Sequence, residues 1–290
     1  MLEEKRLIPL KFDLMFKKVF GNSENKRPLR YLLYCILGIK PKKIIILNSE
    51  IIGDNYYEKK TSVDLIVELE DGTKIGIEMN TNVNKYLINR NLFYMFKIMS
   101  KDIKKGMMYN KLNKHIQINF DCEGYHKKPI MKYKLIEEKC HEELTDKIEI
   151  IRIDVPYYVK RCYNLDVSKL DYKDKFIGLI GMEDRKLAKS ITKDEDDMKE
   201  ILNKVEDFSE DDEIIGAYDG EWHRQEVARV VMLDKIEQGM AQGMAQGMAQ
   251  GMAQGINQIA TNMLKEKMDI KLISKLTGLN IDQIKKLESN

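Results

Sequence analysis

A mixed α/β fold, one sheet flanked by helices with a helical C-terminal extension, is predicted by three features of the sequence. Residues 61–81 alternate apolar and polar with period two around a short Gly-containing break, the pattern of a β-hairpin. Apolar or alternating runs at 44–47, 115–120, 132–137 and 147–155 read as further strands and bring the sheet to five or six members. From residue 169 onward the spacing of apolar residues is helical, so strands with helices give way to helices alone.

The hairpin comes first because its register fixes a site. Val63, Leu65, Val67 and Leu69 alternate with Asp64, Ile66 and Glu68; Glu70-Asp71-Gly72 is the break; Ile75, Ile77 and Met79 alternate with Gly76, Glu78 and Asn80. A three-residue loop with Gly in the left-handed position sets Leu69 opposite Thr73, hence Leu65 opposite Ile77 and Asp64 opposite Glu78. A two-residue loop would put Leu65 against Glu78, core against solvent, so the apolar pattern selects the first register. Asp64, Glu78 and Asn80 then leave the same face, the two acids with Cβ atoms roughly 5 Å apart. Two readings follow. The acids lie on a solvated polar face near a lysine, or a hard divalent cation holds them. Mg²⁺ takes one or two protein carboxylates and completes its shell with water and phosphate oxygens, and such an ion activates water and stabilises charge on a phosphodiester.

Asp, a hairpin turn, then Glu-x-(Lys or Gln) on the next strand resembles the core of the PD-(D/E)XK nucleases. The longer run is similar to the bacterial Rpn-type recombination-promoting nucleases, also described as PD-(D/E)XK nuclease family transposases. Asp13-Leu14-Met15-Phe16-Lys17-Lys18-Val19-Phe20-Gly21 is similar to their opening D-x-x-F-K-x-x-F-G motif, and Tyr86, Arg90 and Tyr94 resemble the helix after their hairpin. The Gly-rich tetrads and the closing Lys-Leu-Thr-Gly-Leu are similar to their tails. The resemblance implies a restriction-endonuclease-like core and a metal-dependent DNA endonuclease with little sequence specificity. Asp64 and Glu78 would ligate Mg²⁺ (or Mn²⁺) with the Met79 carbonyl, and Asn80 would position water or a phosphate oxygen. Lys17, Arg90 and Lys97 would hold the DNA backbone, with Asp13 an accessory acid or simply a helix-start residue. Two positions depart from the pattern: Asn80 stands where the family has Gln and the superfamily Lys, and Val63 where the superfamily has Pro. Asn is a methylene shorter than Gln and uncharged, so a catalytically impaired DNA-binding or assembly protein is the alternative.

The rest of the chain sets boundaries on this. Its 290 residues, 43% hydrophobic, suffice for an α/β domain with an appendage. No stretch approaches 18 consecutive apolar residues, so no membrane span is expected. The start lacks a secretory signal pattern, and four scattered cysteines suit a reducing cytoplasm better than a disulfide framework. Residues 1–130 carry 24 Lys+Arg against 15 Asp+Glu, residues 131–238 carry 19 against 28, and residues 239–290 carry 6 against 4. A basic first half around acidic strands suits a phosphate binder, and equally a solvated lysine surface.

Helices are expected over 12–20, stopped by Gly21, over 27–37, stopped by Gly38, and over 85–100, where Arg90 and Lys97 lie two turns apart. Tyr86 and Tyr94 read as packing residues. Residues 50–60 read as a polar connection over the site, with Asp54 and Glu58 solvated. Cys122, His126, Cys140 and His141 lack the tight pair that zinc prefers, and read as ordinary loop and buried residues. Asp194–Asp197 and Glu210–Glu213 open helices, where acidic charge complements the dipole; Trp222 and His223 have no sequence partner. Gly-Met-Ala-Gln repeats from Gly239 to Gln254, with a worn copy at 255–258. A four-residue period drifts about 40° per copy round a helix, so the repeat is a helical arm that self-associates or a linker of variable length. Residues 270–287 form two short helices around Gly278, a helix-turn-helix-like hairpin. The expected division is a nuclease-like core at 1–165, an acidic helical region at 166–237, the tetrad repeat at 238–258 and the hairpin at 259–290.

Overall fold

The computed structural model describes residues 7–47, 50–51, 61–82, 84–123 and 128–288; Asp54, Glu58 and His126 lie outside them. The chain divides into two compact units, residues 1–219 and 220–290.

In the first unit, α1 (Asp13–Phe20) and α2 (Arg27–Leu37) precede β1 (Ile44–Leu47), and a short pair, β2 (Glu50–Ile51) and β3 (Thr61–Ser62), leads to the hairpin strands β4 (Leu65–Leu69) and β5 (Lys74–Asn80). Then come α3 (Leu87–Ser100), β6 (His115–Asp121), β7 (Ile130–Tyr133) and β8 (Ile148–Asp154). The six-stranded sheet has the order β1-β4-β5-β6-β8-β7. Its three central strands, β5, β6 and β8, run parallel, and antiparallel strands flank them. A parallel β5–β6 neighbour pair needs a crossover, and α3 supplies it. The helices α4 (Val155–Asn164), α5 (Tyr172–Gly181), α6 (Arg185–Thr192) and α7 (Asp196–Phe208) follow.

The register of the hairpin is the expected one: Leu65 pairs Ile77 and Val67 pairs Ile75. Gly72 has φ +82° and donates its N–H to the Leu69 carbonyl. A Cβ on Gly72 would also lie 2.8 Å from the Asn113 Oδ1. One face of the sheet, carrying Val67, Ile75, Ile77, Ile118, Phe120, Ile151 and Ile153, forms the main core with α1, α2 and α4–α7. The other face carries Glu78 and Asn80 beside Asn119 and Asp121, with Arg152 beyond. It is not the solvated face that alternation suggests, because α3 lies across it and its Asn91 donates to Asn119 at 2.7 Å.

Three smaller expectations shift. The strand placed at 132–137 is β7, because pairing of Ile130 with Ile153 and of Tyr133 with Ile150 brings it forward. Helix α3 starts at Leu87, since the Asn84 side chain accepts the Tyr86 N–H at 2.9 Å and holds a turn there. Tyr86 is exposed, whereas Tyr94 packs on Val63, Ile66 and Ile98. Cys140 is exposed and Cys122 partly buried, with no cluster of three metal-ligating side chains among the described residues.

Helix α8 (Asp212–Lys265) begins in the first unit and runs through the tetrads, so the repeat is helical. Met240, Met244, Met248 and Met252 are exposed along it, as is Trp222. In the second unit, α9 (Ile270–Thr277) and α10 (Ile281–Glu288) turn at Gly278, φ +74°. Their Ile273 and Ile284 bury Ala260 of α8 in a small core.

Gly72→Ala is expected to lower stability by about 1–2 kcal/mol, the cost of a left-handed L-residue, seen as a lower urea midpoint at unchanged slope.

Candidate active site

The two acids of the hairpin meet at the end of the polar face. Asp64 precedes β4 and accepts the Met79 N–H at 2.6 Å, so its carboxylate is tied to the neighbouring strand. Glu78 is 4% exposed, and its Oε1 is buried without a hydrogen-bond partner among the described residues. Burial first, and then the Asp13 charge, push the Asp64 carboxyl up to about 7. Burial and the Asp64 charge push Glu78 up to about 8, against the pull of Arg90.

Charge from two helices converges on this pair. From α1, the Lys17 ammonium lies 3.0 Å from Asp13 and 3.8 Å from Asp64. Burial alone would lower its pKa, but the Asp13 hydrogen bond and the Asp13, Asp64 and Glu78 charges raise it. From α3, the Arg90 guanidinium lies 4.0 Å from Glu78 and donates to the Asn80 Oδ1 at 2.9 Å. The side chain of Asn80 is 1% exposed and donates from Nδ2 to Asp121 at 2.8 Å. Asp121 in turn accepts from the Arg152 Nε at 2.9 Å and Nη2 at 2.8 Å. The Asn80 amide is thus clamped between Arg90 and Asp121.

Of the residues singled out in the sequence, Asp13, Lys17, Asp64, Glu78, Met79, Asn80 and Arg90 come together. Lys97 does not; it lies two turns along α3 with its ammonium 5.7 Å from the centre of the Phe93 ring. His223 is exposed on α8. Asp121, Arg152, Asn91 and Asn119 were not anticipated. The signal for Asn119 and Asp121 was the alternation of His115, Gln117, Asn119 and Asp121 in β6, which does not reveal whether a polar face is covered; Asn91 and Arg152 had no local signal.

Chemically, two crowded carboxyls with an orphaned oxygen suit a hard cation. Among the described residues no three His, Cys, Asp or Glu side chains form a closed shell, but two carboxylates with main-chain and water oxygens meet the demand of Mg²⁺.

Comparison with known proteins agrees with this architecture. The chain belongs to the PD-(D/E)XK nuclease family transposases, whose sequence model matches residues 10–227, well over half its length. No curated protein and no solved structure matched it. Family membership supports a nuclease- or transposase-type function and implies DNA as the substrate, and such nucleases generally use divalent metal ions. Among the described residues no helix is long and apolar enough to cross a membrane.

Without an ion, the raised carboxyls keep a proton in the folded chain that the unfolded chain has lost. Ion-free stability therefore falls as pH rises from about 4 to about 8. Asp64→Asn is expected to match wild type near pH 4 and to melt a few degrees higher near pH 8, by scanning fluorimetry in EDTA.

Proposed function

We propose that the protein is a Mg²⁺- or Mn²⁺-dependent DNA endonuclease of the recombination-promoting type, hydrolysing phosphodiesters with little sequence preference. The observation that carries this is the pair Asp64–Glu78, buried, mutually repelling, and with the Glu78 Oε1 lacking any partner among the described residues. These carboxylates and the Met79 carbonyl would hold the ion, with Asp13 as accessory acid. When bound, the ion supplies an activated water and charge stabilisation at the phosphorus. Arg90, exposed at one end of its clamp, and Lys97 further along α3 hold the backbone phosphates, contacts that orient without reading sequence.

Asn80 sits at the position of the expected Lys or Gln, and its amide is committed on both sides. Lys17 offers the ammonium that position 80 lacks, because it reaches Asp64 from α1. In plasmid nicking with Mg²⁺ or Mn²⁺, Asp64→Ala and Glu78→Ala are each expected to cut at least about a hundredfold more slowly. Lys17→Ala is expected to lose a similar factor, with partial recovery in Lys17→Arg. Equal cleavage by wild type and both carboxylate variants would assign the activity to a contaminant or another site.

The same clamp favours a second reading, a nuclease-derived DNA-binding or assembly protein without turnover. It predicts DNA binding with no nicking by wild type, and nicking that appears in Asn80→Lys or Asn80→Gln.

Self-association through the C-terminal helices is part of the proposal. Its support is the row Met240, Met244, Met248 and Met252, exposed on a helix whose glycines at 239, 243, 247 and 251 face open space. Replacing the four methionines by Gln, itself a good helix former, is expected to shift the sedimenting species from oligomer to monomer.

A further inference from the structure

A second feature of the polar face remains unexplained by the carboxylate pair. Between α3 and the sheet lies a cavity of about 250 Å³. Ile88 and Leu92 of α3 line it on one side, and the cross-strand neighbours Gln117, Ile150 and Tyr133 of β6, β8 and β7 form its floor on the sheet. Gln117 is 1% exposed, yet neither its Oε1 nor its Nε2 has a hydrogen-bond partner among the described residues. The polar side chains that line the cavity with it are engaged elsewhere: Asn91 with Asn119, and Arg152 with Asp121. Its room is provided by Gly76 on the adjacent strand, where a Cβ would stand 2.5 Å from the Gln117 Oε1.

A buried amide with both polar atoms unmade costs roughly 1–3 kcal/mol, and such groups call for an occupant. The cavity is smaller than the roughly 300 Å³ at which pockets for drug-sized ligands begin, so one flat ring system fits its scale. Aliphatic side chains and one exposed tyrosine ring suit the two π-faces of such a ring. A carboxamide donates and accepts side by side, matching the paired donor and acceptor on the edge of a base. The place is also suitable. Gln117 pairs with Gly76, two residues before Glu78 on β5, so the floor lies only about 7 Å along the strand from the carboxylate pair.

We propose that this cavity receives one unstacked nucleobase of the bound DNA strand, with the Gln117 amide pairing its edge. This rests on the DNA reading above and adds to it a preference for DNA whose bases are already unpaired. Extrusion from an intact duplex costs a few kcal/mol, and least where the base is mismatched or single-stranded. Because every base offers an adjacent donor and acceptor, the pocket selects structure rather than sequence.

The test uses the full chain with Ca²⁺ in place of Mg²⁺ and fluorescein-labelled DNA bearing 2-aminopurine in a one-base bulge. Anisotropy reports DNA binding, and 2-aminopurine emission reports the environment of the base. Wild type is expected to raise the anisotropy and change the emission severalfold. Ile88→Phe, at an exposed position on the cavity rim, is expected to bind fully paired duplex as wild type does but to lose the emission change. Gln117→Leu, which removes the two unmade polar atoms and so does not threaten the fold, is expected to bind the bulged DNA about tenfold more weakly with unchanged affinity for paired duplex. DNA binding with no emission change in wild type, or the same change in Ile88→Phe, overturns the pocket and leaves the nuclease reading standing. No anisotropy change on any DNA overturns both. A saturable response to free 2-aminopurine riboside at the same concentrations assigns the cavity to a free nucleoside and also overturns the proposal.

Discussion

The structure around the hairpin is governed by the difficulty of burying two carboxylates side by side. A buried carboxylate without compensation costs several kcal/mol or takes up a proton instead. Asp64 and Glu78 show the second response, both pushed toward protonation chiefly by burial and then by neighbouring acids. Within the hairpin only the Met79 N–H compensates Asp64; the compensating charges come from outside it, Lys17 from α1 and Arg90 from α3. Two helices far apart in sequence are therefore bound to one pair of strands by charge. Such an arrangement is poorly suited to stability alone, since an apolar pair at these positions would pack without penalty. Its retention is intelligible if a cation relieves the repulsion.

The clamp on Asn80 follows from the same crowding. Arg90 is shared between Glu78 and the Asn80 oxygen, and the Asn80 nitrogen is taken by Asp121, which Arg152 neutralises. Each charge on this part of the face is answered by the next, so a change at position 80 is felt at Arg90 and hence at Glu78. A longer side chain there has to enter a region already filled by paired groups. The short Asn and the two arginines are in that sense one unit, and the departure at position 80 is matched by its surroundings.

How much of this was legible depended on whether the deciding partner was near in sequence. The hairpin register was readable because Gly72 and the apolar alternation of Leu65, Val67, Ile75 and Ile77 agree on one pairing. The helices ending at Gly21 and Gly38 were readable from local periodicity and stop signals. The cover over the polar face was not, since Gln117, Asn119 and Asp121 alternate with apolar residues as they would beside water. Only the parallel pairing of β5 with β6, which obliges α3 to cross a face of the sheet, turns that face inward. The pairing of Asp121 with Arg152 spans 31 positions, and no local pattern announces it. The tetrad repeat was undecided for the opposite reason: Met, Ala and Gln favour helix, and each Gly opposes it by about 1 kcal/mol.

The polar face as it stands separates structural from functional polarity. At one end Asp102 accepts from His115 at 2.7 Å and pairs with Lys74, a closed arrangement in which burial lowers the His115 pKa and both partners of Asp102 hold it ionised. At the other end Asp121, Arg152 and Asn80 satisfy one another. Between these closed ends, and among the described residues, unmade hydrogen-bonding atoms occur on the face at two residues, Glu78 and Gln117. A sequence selected only for folding would fill both positions with apolar groups, as the opposite face of the three central strands does at Ile75, Ile77, Ile118, Phe120, Ile151 and Ile153. The two unsatisfied positions lie one pleat apart along adjacent strands, a spacing that suits the proposed single site, with a cation at Glu78 facing a phosphate and Gln117 facing a base.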